Sequence, residues 1–264
     1  MRAFSLFILA IFSLSLAAYA QPSVAAGGVL NGASFATGQP VAPGSLVSIF
    51  GTNLASTSSA ATSVPLSTSL GNVQVTFNNI LAPLNYVSGG QINAQLPFEL
   101  TGASTAQVVV MNSGAASAPQ TVQLASVAPG IFYFGSGQAI AYGNTDYTFA
   151  AAPGAIPGLT THPAKILDPQ TLVILATGLG PVTPPIATGA GDPTTIHNTN
   201  TAPVVMVGNV QAQVVFSGIL PGFPGVYQIN ILIQAGTPTG NAVPLQIQMG
   251  GITTSNQITI AVSN

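Results

Sequence analysis

Charge chemistry in this chain of 264 residues rests on very few side chains: Arg2, Lys165, Glu99, Asp146, Asp168, Asp192, His162 and His197, with no cysteine. A hydrolytic triad needs a nucleophile, a base and an orienting acid within hydrogen-bond reach. Only His162, with Asp168 and a nearby Thr or Ser, approaches that set. The surrounding segment is rich in proline and contains no nucleophile-turn motif, so exposed loop polarity is the preferred reading. A glycosidase needs two juxtaposed carboxylates, whereas the acids here are scattered singly, Glu99 in a turn after Pro97. Zinc wants three or four His, Cys or carboxylate ligands, and calcium wants clustered oxygens. Asn144 and Asp146 with neighbouring carbonyls offer a weak calcium site at best. A turn residue capping its own backbone explains them better, and Asp192-Pro193 likewise. The expectation is no catalytic residue, no metal and no cofactor, with a hydrolase kept only as a remote alternative.

The aromatic residues are more informative. Phe132, Tyr133, Phe134, Tyr142, Tyr147 and Phe149 crowd into one short stretch. Three consecutive rings in a strand must point to both faces. Either Tyr133 or its two neighbours therefore turn away from the core. These six residues are the candidate binding patch, for a sugar or another partner, since amphipathic rings suit such surfaces. Cover for a domain junction is the competing and preferred reading, and the absence of Trp weighs against a sugar. Gln91 and Asn93, like Gln228 and Asn230, stand two apart on one strand face. A side-chain ladder or a backbone brace at a sheet edge is expected of them.

The elements that must hold these residues read as strands. Val73, Val75 and Phe77 alternate with Gln74 and Thr76. The same period of two recurs over 210–216, 245–249 and 258–262, as in half-buried antiparallel strands. The 29 Gly and 21 Pro are spread throughout, and no long stretch has helical period. Short strands between such turns predict a sandwich or barrel.

The chain also repeats itself. The segment 45–54 returns as 171–180, Gln91-Ile92-Asn93 as Gln228-Ile229-Asn230, and Met111 to Gly114 as Met249 to Ile252, in the same order. Ordered self-similarity means two copies of one fold, each about the size of an immunoglobulin-like sandwich. The expected division is a signal peptide over 1–20, a short segment 21–26, a first β-sandwich over 27–129, and a second over 130–264 with an inserted loop at about 150–168.

Composition bounds the rest. Charged residues are 2% of the chain and apolar residues 47%. Arg2, the apolar run Phe4 to Leu16 and Ala18-Tyr19-Ala20 form a secretory signal cleaved after Ala20. No later run approaches the ~20 apolar residues of a membrane helix, so no membrane span is expected after cleavage. Nucleic acid is excluded as a partner, because neutralising phosphates takes several Lys or Arg. With few titrating groups, stability should be nearly flat between mildly acidic and neutral pH.

Several motifs also carry a family resemblance. Val29-Leu30-Asn31-Gly32-Ala33-Ser34-Phe35, Val41 to Gly51, Tyr86 to Pro97, Ala128 to Phe132, Ala176 to Val182 and Gly225 to Asn230 together resemble an uncharacterised C-terminal domain family of secreted bacterial proteins, abundant in Acidobacteria. The strand and turn Val47 to Leu54 is similar to the immunoglobulin-like fold of plexins and transcription factors, the IPT/TIG type. The chain departs from the family at Gly89, where Pro is usual, and at Ile166 to Gln170, where a Pro-Gly-acidic turn is favoured. The resemblance implies an all-β chain of two tandem IPT/TIG-like sandwiches in an extracellular location, and no activity. The functional expectation is a non-catalytic secreted or cell-surface protein that attaches or binds, to an extracellular glycan or protein. The alternative is a structural subunit that self-associates through uncharged sheet edges.

Overall fold

Alternation of apolar and polar residues builds the strands as anticipated: Val73, Val75 and Phe77 are wholly buried, while Gln74 and Thr76 on the same strand are not. The computed structural model describes residues 21–255 and 257–264, so the expected signal segment 1–20 lies outside the described residues. One sheet orders the strands Ser23–Asn31, Leu46–Thr52, Gln91–Gln95, Leu84–Val87 and Ser59–Ala60 side by side. The sheet facing it runs Gln120–Gln123, Thr105–Asn112, Val73–Phe77, Ile80–Leu81. Val47, Ile49 and Ile92 from the first meet Val75, Phe77 and Val108 from the second in one core.

The second half repeats this order. Leu172–Thr177 lies beside Tyr227–Leu232, then Gln213–Ile219, as Leu46–Thr52 lies beside Gln91–Gln95, then Leu84–Val87. Opposite them, Thr259–Ser263, Gly240–Met249, Val204–Val207 and Val210–Gln211 match the four strands of the first facing sheet. Ile174, Ile229 and Ile231 meet Val205, Leu245 and Ile247 in a second core. Two copies of one immunoglobulin-like topology thus stand in tandem. Among the described residues the one helical turn is the 3-10 segment Phe98–Leu100.

The second copy differs where the inserted loop was expected. Phe149–Ala150 pairs in parallel with Thr161–His162 at the edge of one sheet. After Pro163 the chain switches sheets, and Ala164–Lys165 pairs in parallel with Val262 and Ser263 of the other. The insertion therefore widens both sheets.

Edges are guarded by brevity instead of charge. Of the eight outermost strands, six are two residues long, and very short edge strands offer little template for pairing. The longest, Ser23–Asn31, is interrupted by a register shift between Val24 and Val29.

The junction between the sandwiches is built from polar side chains, of which Asn31, Gln95 and Thr177 are buried. The Thr177 hydroxyl accepts from the Leu46 amide at 2.9 Å and donates to the Gly225 carbonyl at 2.6 Å. Gln95 accepts from the Gly189 amide at 2.6 Å and donates to the Gly44 carbonyl at 3.1 Å. Asn31 donates to the Ala128 carbonyl at 2.8 Å, and Thr188 joins the Phe98 amide to the Glu99 carboxylate. Phe98 packs against the core of the second sandwich. Gly178 sits at a φ of +81° with its backbone against the linker, where a Cβ would lie 2.0 Å from the Ala128 oxygen.

Candidate functional site

The aromatic residues divide as strand alternation requires. Ile131 enters the second core and Tyr133 packs against it, so Phe132 and Phe134 turn to the outer face. Ala139 and Ala141 are buried, which puts Ile140 and Tyr142 outward beside them. Register then lays one row across the outer face: Thr161, Phe149, Tyr142, Val173, Asn230 and Phe216 stand opposite one another on successive strands. Ring contacts tie the patch together. Phe134 meets Phe149 edge-on at 5.6 Å, Phe149 meets Tyr142 at 5.9 Å, and Tyr142 meets Tyr147 at 6.2 Å. Burial, with a smaller contribution from Tyr147, pushes the Tyr142 phenol above its usual range. Tyr147, in the turn before Phe149, is 70% exposed.

Cover for the domain junction, the preferred sequence reading, does not describe these rings. The junction is made by Asn31, Gln95, Phe98, Thr177 and Thr188, because the strand ends that meet there lie away from this sheet face. Tyr133 alone of the six borders a hollow that first-sandwich Ser34 also lines.

The Gln-Ile-Asn pairs lie on central strands, not at an edge. In the first sandwich Asn93 accepts from Ser48 at 2.9 Å and from Gln91 at 2.8 Å, a side-chain ladder. In the second, Val173 occupies the place of Ser48 opposite Asn230. The Asn230 Oδ1 is consequently buried without a hydrogen-bond partner, in the middle of the aromatic row.

A polar cluster flanks the patch. His162 lies on the edge strand paired with Phe149, and its Nε2 stands 3.0 Å from Asp146 Oδ2 and 2.5 Å from the Thr148 hydroxyl. Its Nδ1 faces the Pro163 carbonyl at 2.9 Å. Both ring nitrogens thus face acceptors, an arrangement that suits the imidazolium. Accordingly the Pro163 carbonyl first, then Asp146, raise the His162 pKa. Desolvation alone would raise the Asp146 carboxyl, but hydrogen bonds from His162 and Thr148 overcome it and bring it down to about 2.

This is not a triad. Thr148 and Asp146 share one nitrogen, whereas base catalysis needs the nucleophile and the acid on opposite nitrogens. The acid beside His162 is Asp146, not the Asp168 suggested by sequence proximity. Asp168 instead caps its own turn at the Gln170 amide. Asp192 caps Thr194 and Thr195 in the same manner. Among the described residues no three His, Cys, Asp or Glu converge as a metal site.

Comparison with known proteins agrees with the architecture. The model of the IPT/TIG domain matches residues 31–124, so the first sandwich is of the IPT/TIG class. Among solved structures, the chain is similar to the plexin A4 extracellular region, domains 1 to 8, at 12% identity and a TM-score of 0.26, covering 92% of this chain and 18% of that one. It is similar to domains 5-6 of the S-layer protein SbsC at 10% identity and a TM-score of 0.25, covering 92% and 99%. The I9-I11 tandem from titin gives 10% identity and a TM-score of 0.22, covering 91% and 65%. The chain spans under a fifth of the plexin region it matches. No curated protein matches the chain. No helix of the described residues is long and apolar enough to cross a membrane.

Proposed function

We propose that this is a non-catalytic extracellular binding protein of the secreted bacterial family it resembles, and that the outer face of its second sandwich docks on a protein partner. The supporting observation is the connected set of partly exposed rings, Phe134, Phe149, Tyr142 and Tyr147, on the outer face of that sheet. The row across this face is aromatic and apolar apart from Thr161 and Asn230, with charge only at its flank, in the His162–Asp146 pair. Interface cores share that composition, enriched in Tyr and Phe and depleted of charge. A small-molecule site would instead be concave with a few convergent polar groups. Self-association is the second reading. It would use the same face, since both edges of either sheet in the second sandwich are two-residue strands, too short to template sheet growth.

The test is retention of purified chain on stripped producing cells, comparing wild type with the Tyr147→Ala and Phe149→Ala variants. At least tenfold weaker retention with a native thermal midpoint supports the proposal. Undiminished retention in both variants overturns it.

A further inference from the structure

A separate site lies between the two sandwiches. An open cleft of about 380 Å3 is walled by Ser34 and Gln39 from the first sandwich and by Thr253, Thr254 and Ser255 from the second, over the linker Ala128-Pro129. A second hollow of about 170 Å3 continues it past Ser34, Thr254 and Ser255 to the ring of Tyr133. The first volume alone falls in the range of about 300–1,000 Å3 usual for small-ligand sites. The floor is fixed, because Asn31 clamps the Ala128 carbonyl while its own oxygen accepts from the Ala33 and Ser34 amides.

Three hydroxyls in the walls are oriented alike. Ser34 accepts from the Ala36 amide at 3.3 Å, Thr254 from the Ile247 amide at 2.9 Å, and Ser255 from the Gln257 amide at 3.1 Å. With the oxygen held by a backbone donor, each hydroxyl keeps its proton to give away. None of the three gives it to another described group. The cleft therefore carries hydroxyls able to donate, adds the carboxamide of exposed Gln39, and reaches the ring of Tyr133 at one end. No charged side chain is among its lining residues, and the chain carries a formal net charge of -2. An anion finds no cation there. A neutral molecule rich in acceptor oxygens finds partners on both walls.

We infer that this interdomain cleft binds a neutral sugar. The site is independent of the outer aromatic face, and the two are tested apart. Purified full chain is titrated calorimetrically with neutral oligosaccharides of glucose, mannose, galactose and N-acetylglucosamine, and with an oligomer of a uronic acid. Binding of at least one neutral oligosaccharide, weakened at least tenfold by Ser255→Trp and several-fold by Gln39→Ala, and unchanged by Tyr147→Ala, is expected. Ser255 and Gln39 are exposed, so both variants should fold, and a native thermal midpoint verifies it. Thr253→Trp, at another exposed wall position, serves if Ser255→Trp does not fold. Failure of every neutral sugar to bind, binding of the uronic acid alone, or binding that survives a tryptophan in the cleft would overturn the inference.

Discussion

At the scale of residues, the molecule's few charges are not spread at random. His162 and Asp146 meet although sixteen positions separate them. Sequence singled out His162 but paired it with Asp168, because proximity along the chain says nothing about a parallel edge strand that folds Thr161–His162 back onto Phe149–Ala150. The pair makes a signed pH prediction. The His162 pKa is raised above 6.5, so its contribution to stability is complete below pH 6.5 and is lost as pH rises through the raised value. The Asp146 pKa is lowered from 3.8 to about 2, so its contribution is complete above pH 3.8 and fades as pH falls towards 2. Both side chains are over 40% exposed, which limits the pair to roughly 1 kcal/mol or less. Urea midpoints should therefore be flat from pH 4 to 6.5 and decline slightly by pH 8, and His162→Gln should remove the decline. The two tyrosines make a second prediction. Tyr133→Ala, which removes packing against the core, should cost about 2 kcal/mol or more. Tyr147→Ala should stay within about 0.5 kcal/mol of wild type. Equal losses in thermal unfolding would show that the two rings do not face opposite ways.

At the scale of elements, the twofold repeat was legible because equivalent strands keep equivalent apolar positions. Leu46–Thr52 and Leu172–Thr177 each lie beside a Gln-Ile-Asn strand. The role of that motif was not legible, since it depends on the residue opposite. Ser48 supplies Asn93 with a donor, whereas Val173 leaves Asn230 without one. Replacing an unpaired buried acceptor by an apolar group relieves a desolvation cost of about 1–3 kcal/mol. Asn230→Leu should accordingly raise stability by about 1 kcal/mol. Asn93→Leu should lower it by a similar amount, because it strands Ser48 and Gln91. Chemical denaturation of the two variants checks both signs. The two-residue edge strands were equally hidden from sequence, where missing charge suggested unguarded edges. Proline bounds three of them, Pro163 between Thr161–His162 and Ala164–Lys165, and Pro181 and Pro184 around Val182–Thr183.

At the scale of the whole molecule, the two copies are joined because Thr177 and Gln95 use their side chains across the boundary and Asn31 holds the linker. Nothing in their spacing announced that use, since Thr, Gln and Asn on a strand read equally well as solvent-facing residues. Thr177→Val keeps the shape but strands the Leu46 amide and the Gly225 carbonyl. It should cost about 1–3 kcal/mol and split a single calorimetric transition into two. The boundary is held at the strand ends, and the partly exposed rings on the outer face of the second sandwich are the basis of the proposed function. Photo-crosslinking on producing cells tests it most directly. A photoreactive phenylalanine at Tyr147 is compared with one at exposed Gln211, on the opposite sheet of the same sandwich. The account predicts a discrete heavier adduct from position 147, lost when Phe149 is also changed to Ala, and none from position 211. Equal adducts from both positions, or none from 147, would contradict it.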